Sequence, residues 1–341
     1  MKKIAIIRLS AMGDIIHTLA SIQFIKKSLP KIHITWFVEE KFADILKNNP
    51  HIDNIVTVDI SSLKRRFSLK KIKDIYKKVK NLDDFDIVID VQGLLKSAII
   101  SKIVGENVAG LDSKSAKEKI STLFYNQKFR VDCSDIAPMR FASLLSKVLN
   151  VKITKDMMLS KSPYLYFKKD ADTDMIDSYF TPSKKSILIV TGASNESKTY
   201  PYEKFIKLVN MLKKYNVLLI AGSEKERISA KKIEKNSNAR LIPTKNLNSL
   251  KYAISKCDML IGGDTGPSHI AWAINKPSII LFGSTPKSMM METSINIAIT
   301  SNAKVHPCRF DKSDRSIATI DPKLIVKNVN ILNHKIEKMK Y

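Results

Sequence analysis

Glycine and proline are scarce in this chain, ten and twelve residues in 341, too few for a low-complexity linker or a collagenous repeat. Cysteine is scarcer still: Cys133, Cys257 and Cys308 stand far apart with no CxxC pair. So odd and sparse a count supplies no zinc or disulfide framework and fits a reducing compartment. Long apolar runs are missing, for none approaches the ~18 residues that a membrane span needs. The amino-terminal MKKIAIIRLSAMGD imitates a signal peptide only until Arg8, with Asp14 close behind, so export is not expected and the chain reads as cytosolic. The histidines (His17, His33, His51, His269, His306, His334) form no HExxH pair, and GxGxxG, GxxxxGKS/T and GxSxG are absent. Zinc chemistry, an ordinary dinucleotide fold, a P-loop and a hydrolase elbow therefore lack support. Acidic residues are few beside basic ones, 33 against 58, a formal charge of +25. That excess asks for an anionic partner: nucleic acid, an acidic membrane surface or a phosphorylated substrate.

What is present suffices for a folded protein. Hydrophobic residues make up 44% and charged ones 27%, which excludes a wholly disordered or multi-span chain. At roughly 150 residues per domain the length predicts two domains. Short apolar runs predict strands over Ile4–Leu9, His33–Val38, Ile55–Ile60 and Asp86–Val91, then over Ser186–Thr191, Asn216–Ala221, Met259–Gly262 and Ser278–Phe282. Segments of helical period, Ile15–Lys27, Tyr202–Lys214 and Leu247–Lys256 among them, lie between the runs. Unbroken apolar runs alternating with helices are the mark of a buried parallel sheet. The pattern occurs twice, with a break in the polar stretch Lys168–Lys185. The fold expected is α/β: two doubly wound, Rossmann-like domains facing each other across a cleft, residues 1–170 and 171–320.

In such sheets ligands lie beyond the carboxyl ends of the strands, so the loops after Leu9, Val91, Val190, Ile220 and Ile261 matter most. The first is Ser10-Ala11-Met12-Gly13-Asp14. Gly13 permits a tight turn there, and a carboxylate at a helix start stays ionised, ready to take a proton from a hydroxyl or merely to cap the helix. Gly262-Gly263-Asp264-Thr265-Gly266-Pro267-Ser268-His269 lets backbone approach a ligand and then presents a helix N-terminus to phosphate, which favours a diphosphate site over a plain capped turn. Lys198, in the small polar loop after Val190, is placed to neutralise a leaving phosphate, or is ordinary solvated surface. Glu224 fits a ribose hydroxyl as well as it fits a helix dipole. Gln92 and Lys96, after Val91, could bind polar acceptor groups or simply finish a strand and cap a helix.

The run Lys64, Arg65, Arg66, Lys70, Lys71, Lys73, Lys77, Lys78 and Lys80 is relieved only by Asp74. Its only aromatics are Phe67 and Tyr76, so the stacking platform of a single-strand binder is not evident, and no helix-turn-helix, RNP or zinc-finger pattern supports nucleic-acid binding. Anionic groups on a membrane-surface ligand suit it better, chiefly at Lys64, Arg65 and Arg66.

Taken together, Asp264-Thr265-Gly266-Pro267-Ser268-His269 and Ser10-Ala11-Met12-Gly13-Asp14-Ile15-Ile16-His17-Thr18-Leu19 make the chain resemble the lipopolysaccharide heptosyltransferases, glycosyltransferase family 9 of the GT-B fold. The amino-terminal motif, with Val91-Gln92-Gly93-Leu94-Leu95-Lys96-Ser97-Ala98 and Leu123-Phe124-Tyr125-Asn126, looks like that of the type I members. The resemblance implies inverting transfer of L-glycero-D-manno-heptose from ADP-heptose to a Kdo residue of Kdo-lipid A, with no cofactor beyond the donor and no metal, at the cytoplasmic face of the inner membrane. By motif, Asp14 would be the general base and Lys198 would meet the departing diphosphate. Glu224 would hold ribose and Asp264 the heptose hydroxyls, with Thr265, Gly266, His269 and, in a generic phosphate role, Ser194 completing the donor site. Ser10, Gly13, Lys64, Arg65, Arg66, Gln92, Lys96 and Lys117 would meet the acceptor. The terminal helix within residues 321–341 would pack back on the N-terminal domain. Where the family often continues with glycines after Pro286, this chain has Lys287-Ser288-Met289-Met290-Met291-Glu292, so contacts from that loop do not transfer. Type II or III transfer to another core sugar, or a sugar-nucleotide epimerase on the same fold, are the alternative readings.

Overall fold

The computed structural model describes residues 2–59, 73, 76–79, 82, 84–308 and 310–339. The chain divides into two compact units, Met1–Tyr166 and Phe167–Tyr341.

The first unit is built on six parallel strands: β1 (Lys3–Ile7), β2 (His33–Glu39), β3 (Asn54–Val58), β4 (Ile87–Asp90), β5 (Val108–Leu111) and β6 (Gln127–Phe129). They lie in the order β3-β2-β1-β4-β5-β6. The second unit repeats the plan with β7 (Ser186–Val190), β8 (Asn216–Ile220), β9 (Arg240–Leu241), β10 (Met259–Gly263), β11 (Ser278–Phe282) and β12 (Asn296–Thr300), in the order β12-β11-β10-β7-β8-β9. In each sheet the order reverses beside the first strand, between β1 and β4 and between β10 and β7. That reversal opens the crevice in which doubly wound sheets hold ligands. Helices cover both faces, so Ile4, Ile6, Ile187, Leu188, Ile189 and Leu260 are all buried. Burial on both sides is why these strands read as unbroken apolar runs.

One expectation is corrected. Ile15–Lys27 is not one helix but two, Met12–Leu19 and Ile22–Ser28. The break falls where the Ser21 amide bonds to the Thr18 carbonyl, three residues back, at 3.2 Å. The terminal helix Pro322–Lys338 is capped by Asp321, which accepts from the Lys323 amide at 2.9 Å. Its Ile325, Val329 and Leu332 enter the second unit's core beside Phe205, Leu208 and Val209 of the helix Tyr202–Met211. Spacing of four and then three residues makes one apolar stripe, and that stripe finds its partner within its own unit. The basic stretch Lys64, Arg65 and Arg66 lies outside the described residues. No helix among the described residues is long and apolar enough to cross a membrane.

Lys161 is buried in the first unit, its ammonium 5.5 Å from the Tyr164 ring centroid. Burial pushes its pKa down to about 7, against about 10.4 in an unfolded chain. Between those values the unfolded state binds more protons, so stability rises with pH. Denaturant midpoints from pH 7 to pH 10 are expected to climb in the wild type and to climb less in Lys161→Met, whose side chain has no proton to lose.

Candidate active site

In the first unit the helix Met12–Leu19 starts almost as soon as β1 ends. Gly13 is its second residue and makes no turn, which corrects the role expected for it. Ala11 is the N-cap, with no side-chain capping bond, so Asp14 is a first-turn residue and not the cap. Its carboxylate is ion-paired instead with the Arg8 guanidinium, which is 5% exposed, while about a third of the Asp14 side chain remains open. Arg8 is fixed on two more sides: Nη1 donates to the Val91 carbonyl at 2.8 Å, and the guanidinium lies 4.6 Å over the Phe141 ring. Arg140 lies 6.0 Å from the same ring. Burial pulls its pKa below the usual arginine value, with the charge of nearby Asp14 opposing. His17 is buried and stacked on Phe141 at 6.4 Å, a packed residue of this cluster.

The loop after β4 closes against the loop after β1. Gln92 Oε1 accepts from the Leu9 amide at 2.9 Å and the Ser10 amide at 3.3 Å. Lys96 Nζ lies 3.4 Å from Ser10 Oγ and 3.0 Å from Glu39 Oε1 at the end of β2. Burial pushes the Glu39 carboxyl up, but hydrogen bonds and charge from Lys96 and Lys41 outweigh it and leave it below its usual value. Gln92 is thus a brace between loops, and Lys96 reaches the loop of Asp14. Both are set by Asp90, which is fully buried. It accepts from the Gln92 amide (2.8 Å), the Gly93 amide (3.2 Å), Ser97 Oγ (2.8 Å) and Tyr125 Oη (2.7 Å). Gly93 has φ +68°, the left-handed region that suits glycine. Lys117 is exposed in the loop after β5, beside Glu118, whose amide donates to the Gly93 carbonyl at 3.2 Å.

In the second unit the loops after β7 and β10 meet at the sheet's reversal. Lys198 Nζ lies 2.6 Å from Asp264 Oδ2, and His269 Nε2 is hydrogen-bonded to Oδ1 at 3.0 Å. Burial pushes the Asp264 carboxyl up, yet Lys198 and His269 outweigh it and hold the group far below the usual carboxylate range. Lys198 also lies 5.1 Å over the Phe310 ring, a cation–π contact. Thr265 is the N-cap of the helix Gly266–Ala273, but its buried hydroxyl has no hydrogen-bond partner among the described residues. The first-turn amides, which no intrahelical carbonyl serves, surround that hydroxyl's turn, and Pro267 has none to offer. An unused hydroxyl and helix-start amides next to a lysine suit an anionic oxygen.

Ser194 is exposed and Glu224 is mostly so, 3.6 Å from Arg227 Nε on its own helix. The carboxylate turned back to the loop is Glu226, whose Oε2 accepts from the Gly222 amide at 2.6 Å. Residues that the sequence reading missed are Arg8, Arg140, Phe141 and Glu39. Among the described residues no group of three or more His, Cys, Asp or Glu side chains is placed to hold a metal ion.

Comparison with known proteins supplies the context. The profile of glycosyltransferase family 9 (heptosyltransferase) matches residues 74–317. A Campylobacter coli protein, lipopolysaccharide heptosyltransferase 1, is 37% identical, covering 97% of this chain and 98% of its own. The lipopolysaccharide heptosyltransferase 1 of Pseudomonas aeruginosa is 28% identical over 83% of this chain and 79% of its own. In fold, the structure of the Escherichia coli heptosyltransferase WaaC with ADP is similar to this chain at a TM-score of 0.77 and 21% identity, covering 97% of this chain and 99% of the other.

Proposed function

The chain belongs to glycosyltransferase family 9, the heptosyltransferases, and from that membership we propose that it moves L-glycero-D-manno-heptose from ADP-heptose to a Kdo residue of Kdo-lipid A, inverting the anomeric carbon, in lipopolysaccharide inner-core assembly. The observation that carries the reading is the Asp14 carboxylate, held at a sheet reversal by Arg8 and not spent on capping its helix. An acceptor hydroxyl oxygen attacks the anomeric carbon as the bond to the diphosphate oxygen breaks. The hydroxyl proton passes to Asp14, and ADP leaves with the bonding electron pair. One base and one stabilised leaving group suffice for a single displacement, with no covalent intermediate.

The second unit supplies the donor half of this reaction. Asp264, kept ionised by Lys198 and His269, accepts hydrogen bonds from heptose hydroxyls. The Lys198 ammonium and the amides that open the helix Gly266–Ala273 meet the charge growing on the diphosphate. That stabilisation needs no cofactor beyond the donor. Ser10, Lys96 and Lys117 bind the acceptor, and Gln92 braces the loop of Ser10; Lys64, Arg65 and Arg66, outside the described residues, are assigned to the same acceptor by motif. Ser194 contacts phosphate and Glu224 the ribose. Basic surface holds the enzyme to the cytoplasmic face of the inner membrane.

The test is ADP release from ADP-heptose. Release is expected with Kdo-lipid A and not without it. Release that is independent of acceptor, or seen only with a longer core acceptor, overturns the Kdo assignment.

A further inference from the structure

Between β5 and β6 the chain crosses the sheet through a short 3-10 helix, Lys119–Phe124. Its inner side is fixed: Ser121 and Thr122 are buried, and the adjoining Tyr125 packs in the core and donates to Asp90. Its outer side is unusual. Leu123 is 77% exposed and Ile120 is 54% exposed, neighbours on one tight turn where a soluble surface would place polar groups. Single exposed apolar residues need no explanation, but here the charges around the pair are sorted as well. Residues 112–130 hold five basic side chains, Lys114, Lys117, Lys119, Lys128 and Arg130, against two acidic ones, Asp112 and Glu118. All five basic residues are exposed. Both carboxylates are turned onto backbone: Asp112 accepts from the Lys114 and Ser115 amides at 3.1 and 2.8 Å, and Glu118 from the Leu95 amide at 2.7 Å. The segment therefore shows the solvent two aliphatic side chains and five basic ones, of which Arg130 lies near the Asp112 and Asp132 carboxylates.

We propose that Ile120 and Leu123 dip into the interface of an anionic lipid bilayer while Lys114, Lys119, Lys128 and Arg130 meet its headgroup phosphates. Exposed aliphatic tips flanked along the chain by basic residues are a composition that binds such a surface, since burial of the tips adds to attraction by the charges. Glu118 ties the segment to Gly93 and Leu95, in the loop of Gln92 and Lys96, so docking would bring the acceptor half of the site to the plane where a lipid-anchored acceptor lies. This last step rests on the proposed function. Docking itself does not, and its test uses no sugar.

Wild-type protein is expected to co-sediment with vesicles of mixed phosphatidylglycerol and phosphatidylcholine, but not with phosphatidylcholine alone, and to be released as salt rises. In I120S/L123S the partition coefficient is expected to fall about tenfold or more, with an unchanged thermal midpoint because neither side chain packs in the core. A second variant, Leu123→Trp, reports insertion directly. Its emission is expected to shift to the blue on adding anionic vesicles, while the native Trp36 and Trp272, at most 1% exposed, stay silent. Equal binding of I120S/L123S and wild type, equal binding to neutral vesicles, or an unshifted Trp emission overturns the proposal. So does self-association that needs Ile120 and Leu123, which would make a second copy of the chain their partner.

Discussion

Asp14→Asn is expected to lower kcat for heptose transfer by about 10³–10⁴ while changing ADP affinity by less than about twofold. Asparagine keeps the size of the side chain and an oxygen for the Arg8 guanidinium, but it cannot take the proton of the attacking hydroxyl. In the proposed function donor contacts are made by the second unit, so nucleotide binding is expected to be unchanged. The substitution also removes the counter-charge of a buried arginine, at a cost of about 1–3 kcal/mol in stability. A thermal melt therefore belongs beside the kinetics. Lost turnover with ADP binding intact identifies the base. Retained turnover makes Asp14 only the partner of Arg8 and leaves the acceptor proton to another group.

In the proposed mechanism Lys198→Ala is expected to act on the opposite bond. Loss of one well-placed charge at a departing group lowers kcat by about 10²–10³, and here the lysine also governs Asp264. With Lys198 gone, burial is opposed by His269 alone and the Asp264 carboxyl moves up towards its ordinary value. The sign follows from linkage. A depressed carboxylate contributes fully above its unfolded value and its contribution is lost as pH falls through the folded one. In the wild type that loss lies far on the acid side, and in Lys198→Ala it moves to higher pH. Calorimetry of ADP-heptose binding across the acid range checks this. A binding profile that keeps the wild-type acid limb would show that Lys198 does not control Asp264.

Apart from β5 (Val108–Leu111), which was missed, the central strands of both sheets were legible because burial on both faces writes itself as unbroken runs such as Ile4–Leu9 and Ser186–Thr191. The edge strands β6, β9 and β12 were not. Gln127–Phe129 and Arg240–Leu241 are short and half-solvated, and on an edge the neighbouring strand supplies the pairing without any demand for apolar sequence. Asp14, Lys198 and Asp264 were singled out by their places after strand ends, and His269 by its distance from Asp264 along the chain; the contacts of Lys198 and His269 with Asp264 join three of them. Arg8 was read only as the residue that ends an apolar run. A charge at the end of a buried strand has to be paired, and that is the signal that could have marked it. Phe141 and Arg140 lie on a helix, Ala137–Leu149, whose apolar period gives no hint that one face meets Asp14.

The glycines that end β10 and β11 divide the donor edge into replaceable and irreplaceable parts. A Cβ on Gly263 would overlap the Lys198 carbonyl oxygen, and one on Gly283 would overlap the Ile317 amide. In both places the neighbour is main chain, so the two loops rest on the sheet by their backbones whatever side chains they carry. Position 198 can therefore lose its ammonium without shifting its loop, which lets a change in rate there be read as a change in charge. Positions 263 and 283 accept no side chain unless the loops above them move. Attempts to redirect the enzyme to other donor sugars by substitution would do best to leave this pair of residues untouched and vary the side chains that face the ligand.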